Sequence, residues 1–168
     1  LIGSLKDQAY LILGSSLGVS SQISLAYADT IFISEISYDF TGYSVSGVGD
    51  VDGDGLDDVL IGAYKSDGDG TELGKAYLVL GASLGSSASI GMADADYSFV
   101  GEADNDYAGY SVSGAGDVDG DGLADLLVGA YANDQGGESA GKAYVILGAS
   151  LGSTTEISLI YADHTFVG

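Results

Sequence analysis

Two short stretches hold most of the side chains that could do chemistry. "GDVDGDGLDD" runs from Gly49 to Asp58, and "GDVDGDGLAD" runs from Gly116 to Asp125. Counted from Asp50, carboxylates fall at positions 1, 3, 5 and 9: Asp50, Asp52, Asp54 and Asp58. Counted from Asp117, they are Asp117, Asp119, Asp121 and Asp125. Like charges this close repel and resist ionising together, so the pattern asks for a counter-charge. Gly55 and Gly122, at position 6, allow a sharp turn. Alternate carboxylates on such a turn curl several oxygens around one point, and the carbonyls of Leu56 and Leu123 at position 7 can join them. Ca2+ takes six to eight oxygen ligands at about 2.3–2.6 Å and suits this ring. Mg2+ demands a stricter octahedron and keeps its waters. Zn2+ prefers nitrogen and sulfur, and the loops offer neither. Two Ca2+ sites are expected, with a structural role.

A plain Asp-Gly hairpin turn is the competing reading. It accounts for one Asp-Gly pair, not for four carboxylates at fixed offsets in two copies. A helix-flanked calcium loop would need a carboxylate at position 12. That position is Ile61 in one copy and Val128 in the other, inside apolar runs, so position 9 has to close the site.

The remaining candidates read as structural. "GGESAGKA", from Gly136 to Ala143, partly matches a phosphate loop. It lacks the following Ser or Thr and leads into a strand pattern instead of a helix, which fits a hairpin loop with Lys142 at a strand start. His164 is the single histidine, with no nucleophile motif beside it. Asp39 and Asp106 precede "FTGYS" and "YAGYS" and suit turn bonding to backbone. The 12 tyrosines fall largely in strand patterns, where packing is the default role, although some could stack on sugars. No catalytic set emerges, and the chain is not expected to be an enzyme.

Elements that could hold the loops recur at a fixed interval. "GYSVSG" begins at Gly42 and again at Gly109, a step of 67 residues. "AYLILG" at Ala9, "AYLVLG" at Ala76 and "AYVILG" at Ala143 keep the same step, as do "FIS" at Phe32 and "FVG" at Phe99 and Phe166. A period of this size means a repeat architecture. Within one period the signals are strand signals. "YSVSGAG" alternates, "DLLVGAY" and "KAYVILG" are short branched and aromatic runs, and Gly, Asp, Asn and Ser clusters separate them. Proline is absent, so nothing bars central strand positions. One period supplies about four short antiparallel strands, the content of a propeller blade.

The order "FVG", "AGYSVSGAGDVDGDGLADLLVGAY", "GKAYVILG" resembles the FG-GAP repeat found in integrin alpha subunits and in many bacterial surface proteins. "FVG" stands for the FG element. "IGAY" at Ile61 and "VGAY" at Val128 stand for the GAP element, with tyrosine in place of proline. The resemblance implies an all-β fold of propeller blades, each of four antiparallel strands, with calcium loops on one face. The copies are incomplete, at about 2.5–3 blades. Residues 1–41 read as a partial first blade lacking its opening strand and acidic loop, 42–108 as a second blade with its calcium loop, and 109–168 as a third. Fewer than three whole blades cannot close a ring, so either further blades of a longer chain or other copies of the chain would complete it.

Bulk composition narrows the partners. The 168 residues are 46% hydrophobic with a formal net charge of -21, which argues against disorder. The two loops hold nine of the 25 acidic residues, leaving 16 against four bases. So acidic a surface disfavours nucleic acid and anionic lipid, which need positive charge. Cysteine is absent, which removes disulfide and thiol chemistry. No stretch reaches the roughly 20 apolar residues of a membrane span, so no membrane insertion is expected. Three functions follow from these readings. One is a calcium-stiffened extracellular or cell-surface module for adhesion or for protein or glycan binding. The others are a subunit that self-assembles into a ring or fibre, and a non-catalytic region of a secreted enzyme.

Overall fold

The structure, a computed structural model, describes residues 1–4, 7–18, 22–66, 72–85 and 87–168. Thirteen strands are assigned among them. The first blade uses β1 (Ile2–Ser4), β2 (Gln8–Leu11) and β3 (Thr30–Ile33). The second uses β4 (Ser44–Gly49), β5 (Asp58–Ala63) and β6 (Lys75–Val79), then a short β7 (Ser89–Gly91) and β8 (Tyr97–Val100). The third repeats the order with β9 (Ala108–Gly116), β10 (Asp125–Ala130), β11 (Lys142–Ile146), β12 (Glu156–Ser158) and β13 (His164–Val167). Short 3-10 turns are the only helical segments among the described residues, and none is long or apolar enough to cross a membrane.

The strands form three sheets, ordered β1-β2-β3-β7, β12-β8-β6-β5-β4 and β13-β11-β10-β9. Within each repeat all pairing is antiparallel, as the strand patterns predict. One feature departs from a purely antiparallel blade. β7 pairs in parallel with β3 of the preceding blade, and β12 pairs in parallel with β8. A segment leading into one blade's outer strand therefore first crosses to cover its neighbour's open edge. Unpaired edge groups are a liability that such a crossing removes. Three successive sheets make an unclosed β-propeller segment.

The middle blade shows why the strands are apolar throughout. Successive strand side chains point to opposite faces. Val59, Ile61, Tyr77 and Val79 join Phe32 and Met92 in one core cluster. The alternate residues Leu60 and Leu78 join Phe99, Val128, Tyr144 and Leu159 in the other. All six residues of β5 are buried. Such two-sided burial needs a continuous apolar run rather than an alternating one. Glycines let the blades approach. A Cβ on Gly62 would collide with the carbonyl of Gly109 in the next blade, and one on Gly3 with that of Gly42.

Acidic residues outside the two loops are largely structural. Asp29, Asp96 and Asp163 are spaced by one period. Each accepts a 2.8 Å hydrogen bond from a backbone N–H, of Leu13, Leu80 and Leu147 respectively. Each also accepts from a serine hydroxyl, of Ser16, Ser83 and Ser150. These carboxylates tie the turn after the third strand to the start of the outer strand.

Candidate metal centre

Each acidic loop joins the first and second strands of its blade. Asp50 directly follows β4, and Asp58 opens β5. Asp117 and Asp125 hold the same places between β9 and β10. The turns need backbone that glycine adopts freely: φ is +82° at Gly53, +86° at Gly55, +83° at Gly120 and +95° at Gly122. Carboxylates then organise the turn. The two oxygens of Asp50 accept from Gly53 N at 2.7 Å and Gly55 N at 2.9 Å. Asp117 does the same with Gly120 at 2.7 Å and Gly122 at 3.0 Å.

Asp58 and Asp125 are fully buried and act as anchors. Asp58 Oδ2 accepts from Val51 N at 2.8 Å and Oδ1 from Gly81 N at 2.6 Å. Asp125 accepts from Val118 N at 2.8 Å and Gly148 N at 2.9 Å. One side chain thus joins the loop to the turn that follows the third strand. Burial pushes the Asp58 carboxyl above its usual pKa, against the two backbone hydrogen bonds and helped by the charges of Asp52 and Asp54.

Three carboxylates in each loop converge. Oxygens of Asp50, Asp52 and Asp58 lie within 4.8 Å of one another, and so do those of Asp117, Asp119 and Asp125. Asp54 and Asp121 stand outside these triads. Their Oδ1 atoms accept from Leu56 N and Leu123 N, each at 2.8 Å. Leu56 and Leu123 lie in the same loops, and Leu56 is half exposed. The donor set fits a hard divalent cation: it is all oxygen, anionic and gathered at one point. An ionised carboxylate has about four lone-pair sites, so backbone hydrogen bonds leave capacity for a metal. Asp50, Asp52 and Asp58 would hold one ion, and Asp117, Asp119 and Asp125 the other. The chemistry supplied would be neutralisation of the clustered charge and fixing of the strand connection.

The loops also touch each other. Ala124 N donates to the carbonyl of Asp50 at 2.8 Å. A Cβ on Gly148 would lie 2.6 Å from the Val51 carbonyl. Val51 is fully buried there, whereas Val118, one period later, is 55% exposed. Gly81 and Gly148 are contributors that the loop pattern alone does not disclose. Their signal is the final glycine of "AYLVLG" and "AYVILG", whose amide the buried aspartate needs.

An aromatic ladder lies at the opposite ends of the same strands. Tyr43 precedes β4, Tyr64 follows β5, and Tyr110 and Tyr131 match them one period on. Ring centroids are 4.8 Å apart for Tyr43–Tyr64, 4.9 Å for Tyr43–Tyr110 and 4.5 Å for Tyr110–Tyr131. The Tyr43 hydroxyl donates to that of Tyr110 at 3.0 Å. The other sequence candidates fall into structural places. Lys142 starts β11 and pairs with Glu102 at 2.7 Å. Asp39 accepts from Thr41 N, and Asp106 from Ala103 N and the Asn133 side chain. His164 is exposed on the outer strand β13.

Blades of this order, with acidic loops between their first two strands, define an open β-propeller segment carrying candidate cation loops. The FG-GAP repeat family model matches residues 41–79 and 108–146. The chain carries two FG-GAP repeats, each comprising an opening strand, an acidic loop and the next two strands. No curated protein matches the chain.

Proposed function

We propose that the chain is a calcium-stiffened, non-catalytic binding module that works outside the cell or at its surface. The observation that carries this reading is the pair of aspartate triads, built identically in two blades and locked to each other through Ala124 and Asp50. A Ca2+ ion in each loop offsets repulsion that the fold otherwise has to bear. The strong negative charge of the chain suits a medium rich in salt and calcium. Extracellular modules bind Ca2+ at about 10⁻⁴–10⁻³ M, an affinity that leaves such sites filled only where calcium is plentiful. The tyrosine ladder, exposed at Tyr43 and Tyr131 and partly covered at Tyr64 and Tyr110, supports a protein or glycan as partner, since aromatic faces combine apolar area with a polar edge.

Isothermal calorimetry with CaCl2 tests the reading. Two sites per chain are expected, and Asp121→Ala, as well as the triad variants Asp52→Ala and Asp119→Ala, should weaken them. Addition of a chelator should lower the melting temperature of the unmutated protein. A melting curve that calcium leaves unmoved would remove the metal from this account.

A further inference from the structure

Tyr43 and Tyr110 hold the same place in the two copies of "GYSVSG". Tyr43 stands one residue ahead of β4 and Tyr110 lies inside β9. β4 and β9 belong to different sheets and meet across the interface of the second and third blades, where Val112 N donates to Ser44 Oγ at 3.0 Å. The two phenols meet at the same interface. Their ring centroids are 4.9 Å apart with the planes inclined by 41°, and Tyr43 Oη donates to Tyr110 Oη at 3.0 Å. The hydroxyls are nearer to each other than the ring centres are, so the rings converge toward their hydroxyl ends. Each Cε there is bonded to the hydroxyl-bearing carbon, which brings a Cε of one ring close to a Cε of the other.

Composition directs oxidation to the phenols. The chain has 12 tyrosines, no cysteine and no tryptophan, and its single methionine, Met92, is 1% exposed. The sulfur side chains that ordinarily take oxygen first are therefore absent or enclosed. Tyr43 is 38% exposed and open to an oxidant, and Tyr110 is partly covered.

We propose that Tyr43 and Tyr110 are a site of oxidative cross-linking, at which a one-electron oxidant driven by hydrogen peroxide joins them as dityrosine and staples the second blade to the third. Each phenol loses one electron and its hydroxyl proton. The hydrogen bond already in place gives the departing Tyr43 proton an acceptor. The two phenoxyl radicals couple through one Cε of each, forming a carbon–carbon bond. The hydrogens on those two carbons move to the oxygens, which restores both rings and both hydroxyls. Two tyrosines thus give up two electrons and two protons, and one hydrogen peroxide takes them and becomes two waters. Rings held in contact couple in a unimolecular step, which favours this pair over tyrosines of separate chains. This chemistry is separate from the binding proposed above and does not depend on the metal, because the ladder lies at the strand ends opposite the acidic loops.

The test treats the 168-residue chain, at micromolar concentration, with a haem peroxidase and equimolar hydrogen peroxide, in EDTA and in CaCl2. Dityrosine fluorescence should appear in both buffers, in protein of monomer mass lighter by two hydrogens. Tandem mass spectrometry of a digest should place the bond between Tyr43 and Tyr110. Tyr43→Phe and Tyr110→Phe each keep the ring and remove the reacting hydroxyl, so each should fold as the parent does and lose that cross-link. Tyr64→Phe should retain it, although the Tyr64 ring touches both partners, at 4.8 and 5.3 Å. The bond spans 67 residues, and closing a loop of that length should raise the melting temperature of the cross-linked monomer by about 10 °C. Dityrosine found only in covalent dimers overturns the proposal, and so does a bond mapped to another tyrosine pair or formed undiminished in Tyr43→Phe. A cross-linked monomer that melts no higher than the untreated chain overturns the staple. Calorimetric Ca2+ binding is expected in all three variants whatever the cross-linking result.

Discussion

Asp119→Asn should change the sign of its stability effect with calcium. The Asp119 side chain is exposed and accepts one loop hydrogen bond, from Asp121 N at 3.1 Å. Asparagine can keep that acceptor. The lost charge belongs to a triad whose oxygens lie within 4.8 Å, so the substitution removes two of three pairwise repulsions. A like-charge pair at about 4 Å costs roughly 1 kcal/mol in water. In chelator the variant should therefore melt higher, by about 2–4 °C for each kcal/mol in a chain of this size. With free calcium about 100-fold above its dissociation constant, a filled site contributes about 2.7 kcal/mol. Losing a charged ligand forfeits nearly all of that, slightly more than the roughly 2 kcal/mol gained from the two relieved repulsions, so in calcium the variant should melt below the parent by about 1–3 °C. Asp125→Ala is the contrasting control. It strands the N–H groups of Val118 and Gly148, the buried one of Gly148 costing about 1–3 kcal/mol, and should destabilise in both conditions. Differential scanning calorimetry of the three proteins in EDTA and in CaCl2 decides. A shift for Asp119→Asn of the same sign in both buffers would refute the reasoning.

Four further outcomes follow from packing and burial. Phe99→Ala should cost about 3–5 kcal/mol in urea unfolding, whereas Phe166→Ala, at the same repeat position but largely exposed, should cost well under half of that. Gly62→Ala should unfold the stack far more than Gly129→Ala, because a Cβ at 62 meets the Gly109 backbone, while at 129 it meets chiefly the movable Ser111 side chain; circular dichroism melts compare them. Burial pushes the Glu35 carboxyl up, but hydrogen bonds from Tyr77 and Lys75 and the Lys75 charge outweigh it and hold its pKa below the usual 4.5. Its stabilisation is thus fully present above the unfolded value and lost as pH falls through the folded one. Glu35→Gln should destabilise more at pH 7 than at pH 3. Asp106, whose pKa is raised by burial, should work in the opposite sense, with Asp106→Asn becoming relatively more favourable as pH rises through its folded value.

Much of the site was legible because its signals are local. Carboxylates at alternate positions around Gly55 and Gly122 curl onto one point by turn geometry alone, and the structure places three of each four together. Asp54 and Asp121 stand outside the triads, and spacing does not reveal it: each accepts from the backbone N–H two residues on, but so do Asp52 and Asp119 from within the triads. The amides of Gly81 and Gly148 were out of reach for another reason: they lie 23 residues from Asp58 and Asp125, and only the folded sheet brings them near. The antiparallel blades could be read from strand runs of regular period. The parallel crossings of β7 and β12 could not, because "SIG" and "EIS" are too short to carry a pattern.

The sequence by itself determined the repeat, its strand content and the charge of its two loops, since period, alternation and turn residues act over a few neighbours. Tertiary structure alone decided which copies of the same motif are buried. Val51 is enclosed and Val118 open, Phe99 enclosed and Phe166 open, although the local sequences nearly match. Burial depends on whether another blade lies alongside, and that is a property of the stack rather than of the residue.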